Sequence, residues 1–334
     1  MKIIVPMAGR GSRLRPHTLT VPKPLLPVAG KPIVHRLVED IARVCSEPIE
    51  EVAYVIGDFG AETERELLNV AEKLGARGSI YYQHEPLGTA HAVLCAEPSL
   101  NGKVIVAFAD TLFRADFKLD ANADGIIWVN KIEDPRAFGV VQLNQQNVIT
   151  GFIEKPQEFI SDLAIIGIYY FKDGLNLKNE LEYLIKNNIK EKGEFQITNA
   201  LDNMKNKGLK FYPGEVIEWL DCGNKDATVY TNRRVLSYDV SAKGSRQNLL
   251  LNNSIVIEPC FIGNNVVLAN SVVGPYVSLG DNVTITDSRI ENSIVQEKTS
   301  ITNFIAGNAM IGKNAIVKGT SHNVSLGDFS QINS

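Results

Sequence analysis

From about residue 250 the chain stops reading like an ordinary globular sequence. Helix periodicity vanishes, and what remains is a run of Val, Ile, Leu, Asn, Gly and Ser. Within it Ile262-Gly263, Val273-Gly274, Leu279-Gly280 and Ile311-Gly312 repeat an aliphatic-glycine pair. Leu268, Ile285, Ile290, Val295, Ile301 and Val317 fill most of the slots between them at five- or six-residue steps. One inward aliphatic per six residues is the pattern of a β-helix, whose stacked coils bury a continuous aliphatic column. At ~18 residues per three-sided coil the stretch holds about four coils, with the steps of five leaving the register imperfect. Asn and Gly recur because tight corners need residues that tolerate a left-handed backbone. A β-sandwich would alternate with period two and show turn clusters every ~8 to 12 residues; the tail does neither.

Upstream, from Met1 to about Ser237, short β-rich runs alternate with helix-period segments, the signature of an α/β sheet built from crossover units. KIIVPMA, EVAYVIG, SIYYQ, KVIVAFAD, GIIWVNKI, GVVQL, VITGFIE and LAIIGIYYF predict strands of one large mixed or parallel sheet. PIVHRLVEDIARVC, AETERELLNVAEKLG, NELEYLIKNN and QITNALDNMKNKG predict helices. At 334 residues two domains are expected, divided as 1–237 and 238–334, the second comprising a linker and the β-helix. A net charge of -4 argues against a nucleic acid held on a broad basic face. No apolar stretch approaches the length of a membrane span or a signal peptide, so a soluble cytoplasmic protein is expected. Cys45, Cys95, Cys222 and Cys260 fall in no metal-type spacing and read as small apolar residues.

The stretch AGRGSRLRPHTLTVPKPLLPV, residues 8–28, follows the first strand and is both stiff and cationic. A sharp turn through Ala8, Gly9 and Gly11 would expose consecutive backbone N–H groups, a nest for phosphate oxygens. The motif is neither of the common phosphate loops, since Gly-Lys-Ser/Thr is absent and Leu14 stands where GxGxxG needs its last glycine. Arg13 offers a planar fork to two phosphate oxygens. Lys23, between Pro22 and Pro24, offers a point charge from a stiffened backbone.

The string GRGSRLRPHTLTVPKPLLPVAGKPI closely resembles the signature of the sugar-1-phosphate nucleotidylyltransferases, and further motifs extend the resemblance along most of residues 1–237. It implies a Rossmann-like nucleotidyltransferase domain with a mixed sheet, followed by a left-handed parallel β-helix of hexapeptide repeats. It also implies Mg2+ and a reaction in which a sugar-1-phosphate oxygen attacks the α-phosphorus of an NTP, giving an NDP-sugar and pyrophosphate. Gln83-His84-Glu85-Pro86-Leu87-Gly88-Thr89-Ala90 looks like the family's base-binding turn, with Gln83 and Gly88 on the nucleotide. The Gln83 carboxamide can donate and accept, which suits the edge of uracil or thymine. Asp110, after Phe108-Ala109, and Asp221, in Trp219-Leu220-Asp221-Cys222-Gly223, resemble the metal ligands; most relatives have glycine where Ala109 stands. Glu154 and Lys155 resemble the sugar and sugar-phosphate contacts, while Gly139, Gly167 and Thr198, within Glu194–Thr198, match positions that wall the sugar pocket.

Such chemistry needs no general base, because the attacking phosphate is already an anion. It needs charge neutralisation and positioning, which Arg13, Lys23, Lys155 and Mg2+ would supply. A second activity in the tail, acyl transfer, would need a positioned basic histidine, and only His322 lies in the repeat region. A non-catalytic regulatory relative would be expected to lack Arg13, Lys23 or the aspartates, all of which are present. The sequence leaves dTTP against UTP open, and glucose-1-phosphate against another hexose phosphate. The repeat tail is expected to support a homo-oligomer. Every motif precedes residue 237, so a chain cut near Leu236 is expected to keep its chemistry.

Overall fold

The computed structural model describes residues 1–9, 11–319 and 324–332. In chain order the first two-thirds carry strands β1 (Lys2–Pro6), β2 (Pro27–Val28), β3 (Lys31–Pro32), β4 (Glu51–Ile56), β5 (Arg77–Tyr82), β6 (Val104–Ala107) and β7 (Thr111–Arg114). They continue with β8 (Gly125–Lys131), β9 (Gly139–Leu143), β10 (Ile149–Glu154), β11 (Leu163–Phe171), β12 (Phe211–Glu215) and β13 (Glu218–Asp221). The helices are α1 (Ile33–Val44), α2 (Gly60–Lys73), α3 (Thr89–Leu94), α4 (Gly174–Lys186), α5 (Ile197–Asn206) and α6 (Lys225–Tyr238). All eight predicted strands and four predicted helices are present. The chain divides into two compact units, one of residues 1–9 and 37–219, the other of residues 10–36 and 220–334.

In the first unit the main sheet runs β10-β9-β11-β6-β1-β4-β5, with β8 beside β11 and β12 beside β8. β6, β1, β4 and β5 are parallel, whereas β11 is antiparallel to β6, β8 and β9, so the sheet is mixed. The run Val-Ile-Val-Ala of β6 and the whole of β4 are buried, as strands covered on both faces must be. After β1 the chain moves outward through β4 and β5, then returns to β6 on β1's other side. That reversal creates a crevice beyond the carboxyl ends of β1 and β6.

Helix α6 was not legible because it buries Thr228, Thr231 and Asn232 beside Val229, Val235 and Leu236, which breaks the apolar stripe. Its start is fixed by Asn224, whose side chain accepts from the Ala227 N–H.

In the second unit the described residues of 250–319 and 324–332 form a left-handed parallel β-helix. Its three sheets hold six, four and five strands among the described residues. Every aliphatic singled out above points inward and is buried, including Leu268, Ile285, Ile301 and Val317 in one column and Ile262, Leu279, Val295 and Ile311 in another. Coils repeat every 17 residues at first, as in the Asn248-Asn265-Asn282 ladder. They shorten to 16 further on, as between Ser288 and Phe304. The five-residue steps therefore shorten the coil below 18 without breaking the stack.

Asparagine does what was expected of it, taking positive φ at corner positions such as Asn248, Asn265, Asn282 and Asn314. The glycines of the aliphatic-glycine pairs mostly do something else. A Cβ on Gly263, Gly280 or Gly312 would lie 2.9, 2.6 or 2.5 Å from the backbone nitrogen of Asp281, Glu297 or Asp328. These glycines permit coil-to-coil approach, and only Gly274 of the four pairs has positive φ.

Candidate active site

The first unit gathers its candidate residues at the carboxyl edge of the parallel strands. Ala8 and Gly9 follow β1, Gln83 follows β5 and Asp110 follows β6. The edge is stitched across by Met7 N–H to Val55 O (2.8 Å) and Gln83 N–H to Ile56 O (2.9 Å). Gln83 Nε2 reaches Gly88 O at 3.4 Å and His91 Nδ1 at 3.1 Å, which fixes the carboxamide at the turn. Burial lowers the His91 pKa, with Glu85 opposing. The turn then docks on the Glu194–Thr198 segment through Ala90 N–H to Phe195 O and Phe195 N–H to Leu87 O, both 2.9 Å. Gly88 is required there, having φ +118° and a Cβ position only 2.5 Å from Phe195 O. Gly88→Ala is accordingly expected to cost ~1 to 3 kcal/mol of stability and to raise KM for the NTP. Thermal unfolding and NTP titration check both.

The sugar-side candidates converge on one another. Glu154 pairs with Gly139 across β10 and β9. A Cβ on Gly139 would meet Glu154 Oε2 at 3.1 Å and Thr198 Cγ2 at 3.8 Å, so this glycine keeps space open between them. Thr198 Oγ1 is buried with no protein partner, a hydroxyl suited to a ligand's hydroxyl. Gly167, at φ +86°, accepts from the Phe108 N–H at 3.0 Å and faces the Phe108 ring, which ties β11 to the segment carrying Asp110. Tyr169 has its pKa raised by burial first and then by the charges of Glu154 and Asp110. Lys155 takes φ +47° and lies 3.5 Å from Glu154. Lys192 was missed by sequence reasoning. It donates to Glu154 O and Lys155 O at 3.2 Å each and adds a second cation beside Lys155.

In the second unit the cationic loop runs through three short 3-10 turns, Ser12–Leu14, His17–Leu19 and Lys23–Leu25. Gly11 sits at φ +60°, and its Cβ position would lie 2.9 Å from Lys23 Cβ and 3.1 Å from Thr18 Cγ2. The loop is thus closed over the stem of Lys23, which is 8% exposed. Arg13 is exposed. Asp221, at the end of β13, takes the Gly223 N–H on Oδ1 at 2.9 Å, and its own carbonyl accepts from Thr231 Oγ1 at 2.7 Å.

The nucleotidyl transferase family model matches residues 2–237, and thus spans every one of these candidate residues. The chain belongs to the nucleotidyl transferase family. It is 32% identical to a glucose-1-phosphate thymidylyltransferase of Streptomyces antibioticus over 99% of both chains. It is 30% identical to the bifunctional protein GlmU of Methanococcus vannielii over 77% of this chain, which spans 61% of that protein. A nucleoside-diphosphate-sugar pyrophosphorylase from Vibrio cholerae shares the fold over 69% of this chain and 99% of its own, with a TM-score of 0.60 at 22% identity. The reaction of this nucleotidyl transferase is nucleotidyl transfer.

Among the described residues of the transferase, no three or more His, Cys, Asp or Glu gather to cage a metal. Mg2+ needs no such cage, since it binds through one or two carboxylates and substrate phosphates and keeps several waters. The donor set fits. Asp110 and Asp221 are hard oxygen donors. The missing Cβ of Gly223 leaves room for the Asp221 carboxylate, which it would otherwise meet at 2.9 and 3.0 Å.

His17 of the transferase is buried, with Nε2 3.1 Å from Ser325 Oγ. Burial pushes its pKa down to about 4, with Asp328 opposing and Lys225 assisting. Because the folded value lies below the unfolded one, the neutral ring contributes its full stability above about pH 6.5. That contribution is lost as the pH falls towards 4, by on the order of 3 kcal/mol. Urea unfolding at pH 7 and pH 4.5 should show a smaller acid loss for His17→Gln than for wild type. His322, the histidine considered for acyl transfer, lies outside the described residues.

Proposed function

We propose that the chain transfers a nucleotidyl group from dTTP or UTP to a sugar-1-phosphate, with glucose-1-phosphate the first choice, forming an NDP-sugar and releasing pyrophosphate. The observation that carries this reading is the carboxyl edge of the parallel strands, where Ala8 and Gly9 after β1, the held Gln83 carboxamide after β5 and Asp110 after β6 lie about a strand-order reversal. The end-to-end similarity to a glucose-1-phosphate thymidylyltransferase supports the choice of substrates.

In this reading Ala8, Gly9 and Gly11 present N–H groups to the triphosphate, and Gln83 reads the base across Gly88. Glu154 and Thr198 hold sugar hydroxyls between Gly139 and Gly167, and Lys155, with Lys192 beside it, meets the 1-phosphate. Arg13 and Lys23 neutralise the charge that gathers as the phosphate oxygen approaches the α-phosphorus. Asp110 and Asp221 would hold Mg2+, which when bound supplies positive charge to the phosphates. No proton needs to be removed from the nucleophile, and no histidine is assigned to do so.

We take 1–237 as the catalytic domain and 238–334 as linker and β-helix, a division that the end of the family match at residue 237 supports. The tail is read as structural, the enzyme as cytoplasmic and the assembly as a homo-oligomer. No helix among the described residues is long and apolar enough to cross a membrane. Pyrophosphate release from a matrix of NTPs against sugar-1-phosphates tests the reading. Turnover confined to a purine triphosphate, or absent with every sugar phosphate, would overturn it.

A further inference from the structure

We propose that the last coil of the β-helix braces the cationic loop for nucleotidyl transfer, with Ser325 and Asp328 acting as positioning residues. The proposal rests on the reading of Arg13 and Lys23 given above.

Three 3-10 turns of three residues each give the loop little regular hydrogen bonding with which to hold its own shape. Its shape is instead set by what it sits on. His17 is buried with Nε2 against Ser325 Oγ at 3.1 Å. Thr20 Oγ1 donates to the Asp328 carboxylate, whose other oxygen accepts from the Lys313 N–H at 2.9 Å and so fixes it within the coil. Between these two contacts Gly327 lies under Pro16, where a Cβ would approach Pro16 Cβ and Cγ to 2.8 and 3.0 Å.

The far end of the segment is seated in the same way. The Ala29 N–H donates to Asn232 Oδ1 at 2.8 Å, and that oxygen also accepts from Ser278 Oγ at 2.7 Å. Gly30 faces the Phe261 ring so closely that any Cβ would overlap it.

A contiguous path leads from the coil to the cation. Thr18, the neighbour of His17, donates to Gly11 O at 2.8 Å. Gly11 in turn packs on Thr18 and on the stem of Lys23. A shift of the 325–328 turn would therefore be passed through His17 and Thr18 to the loop backbone and to Lys23. Misplacing a transition-state cation by about 1 Å can cost ~10²-fold in rate. On this proposal a chain cut near Leu236, which the sequence expects to keep its chemistry, would lose the seat of the loop and with it part of the rate.

The test uses the full chain carrying Ser325→Ala with Asp328→Ala, assayed by pyrophosphate release beside thermal unfolding. Asn253→Ala, which removes a ladder contact of the first coil, serves as the control. The expected result is a loss of about ten-fold or more in kcat/KM for the NTP, with most of it in kcat. The KM for the sugar-1-phosphate should change less than two-fold, and Asn253→Ala should match wild type. Ser325→Thr, which retains a hydroxyl, should restore most of the rate lost in Ser325→Ala. Wild-type kinetics in the double variant, or a loss that the control shares, would overturn the brace. Should the double variant fail to fold, Thr20→Val removes the Asp328 contact from the loop side and must lower kcat for the proposal to stand. A wild-type protein inactive across the substrate matrix sinks the functional reading instead, whereas an active one with unmoved variants sinks the brace alone.

Discussion

Lys23→Ala should leave the chain folded and lower kcat by ~10²- to 10³-fold, the magnitude typical of removing one preorganised donor from a developing anion. The side chain is held before substrate arrives. Its stem is buried under Gly11 and Thr18, and prolines flank it on both sides. A cation fixed in this way needs little reorganisation as charge gathers on the equatorial oxygens, so its loss is felt more in the transition state than in the ground state. Because truncation also empties the space of a buried stem, Lys23→Met is the sharper variant, keeping the volume and deleting the charge. Near-wild-type turnover in Lys23→Met would show that the loop supplies something other than charge at this position. Arg13, being exposed, can be cut to alanine without that complication, and a comparable loss in kcat is expected.

Asp110→Asn and Asp221→Asn are expected to shift the midpoint of Mg2+ activation to higher concentration by ten-fold or more, because each replaces an anionic oxygen ligand by a neutral one. The two residues sit in different local structures. Asp110 follows a buried parallel strand, whereas Asp221 is folded back onto the Gly223 N–H. Initial rates titrated against Mg2+ at saturating NTP separate the metal effect from substrate binding. An unmoved midpoint in both variants would make these aspartates structural.

The inward aliphatics of the tail were legible because a stacked coil buries the same position every turn. Why the glycines are there was not legible. Spacing alone does not distinguish a residue that bends the backbone from one that lets a neighbouring coil approach, and Gly263, Gly280 and Gly312 are of the second kind. In the candidate site, Gln83, Asp110, Glu154 and Lys155 were singled out because the motifs around them resemble those of the nucleotidylyltransferases. Lys192 left no signal, since it is one lysine in a charged loop whose partners are backbone oxygens. The grouping of residues 10–36 with the tail was hidden for a different reason. Contacts such as His17 with Ser325 have no periodicity, and in the sequence they are two polar residues far apart.

That separation, 308 residues, also sets an order of events during synthesis. A ribosome adding ~10 residues per second releases the first half-sheet well before the final coil exists. For about half a minute the loop is out in solution with its signature complete but its seat unmade. Strands β1, β4 and β5 can pair in that interval, and a nascent chain can look folded by its sheet. The contacts of His17 and Thr20 become possible only once Ser325 and Asp328 have cleared the exit tunnel, so the cationic loop is among the last parts of the molecule to take shape, although it is among the first to be made.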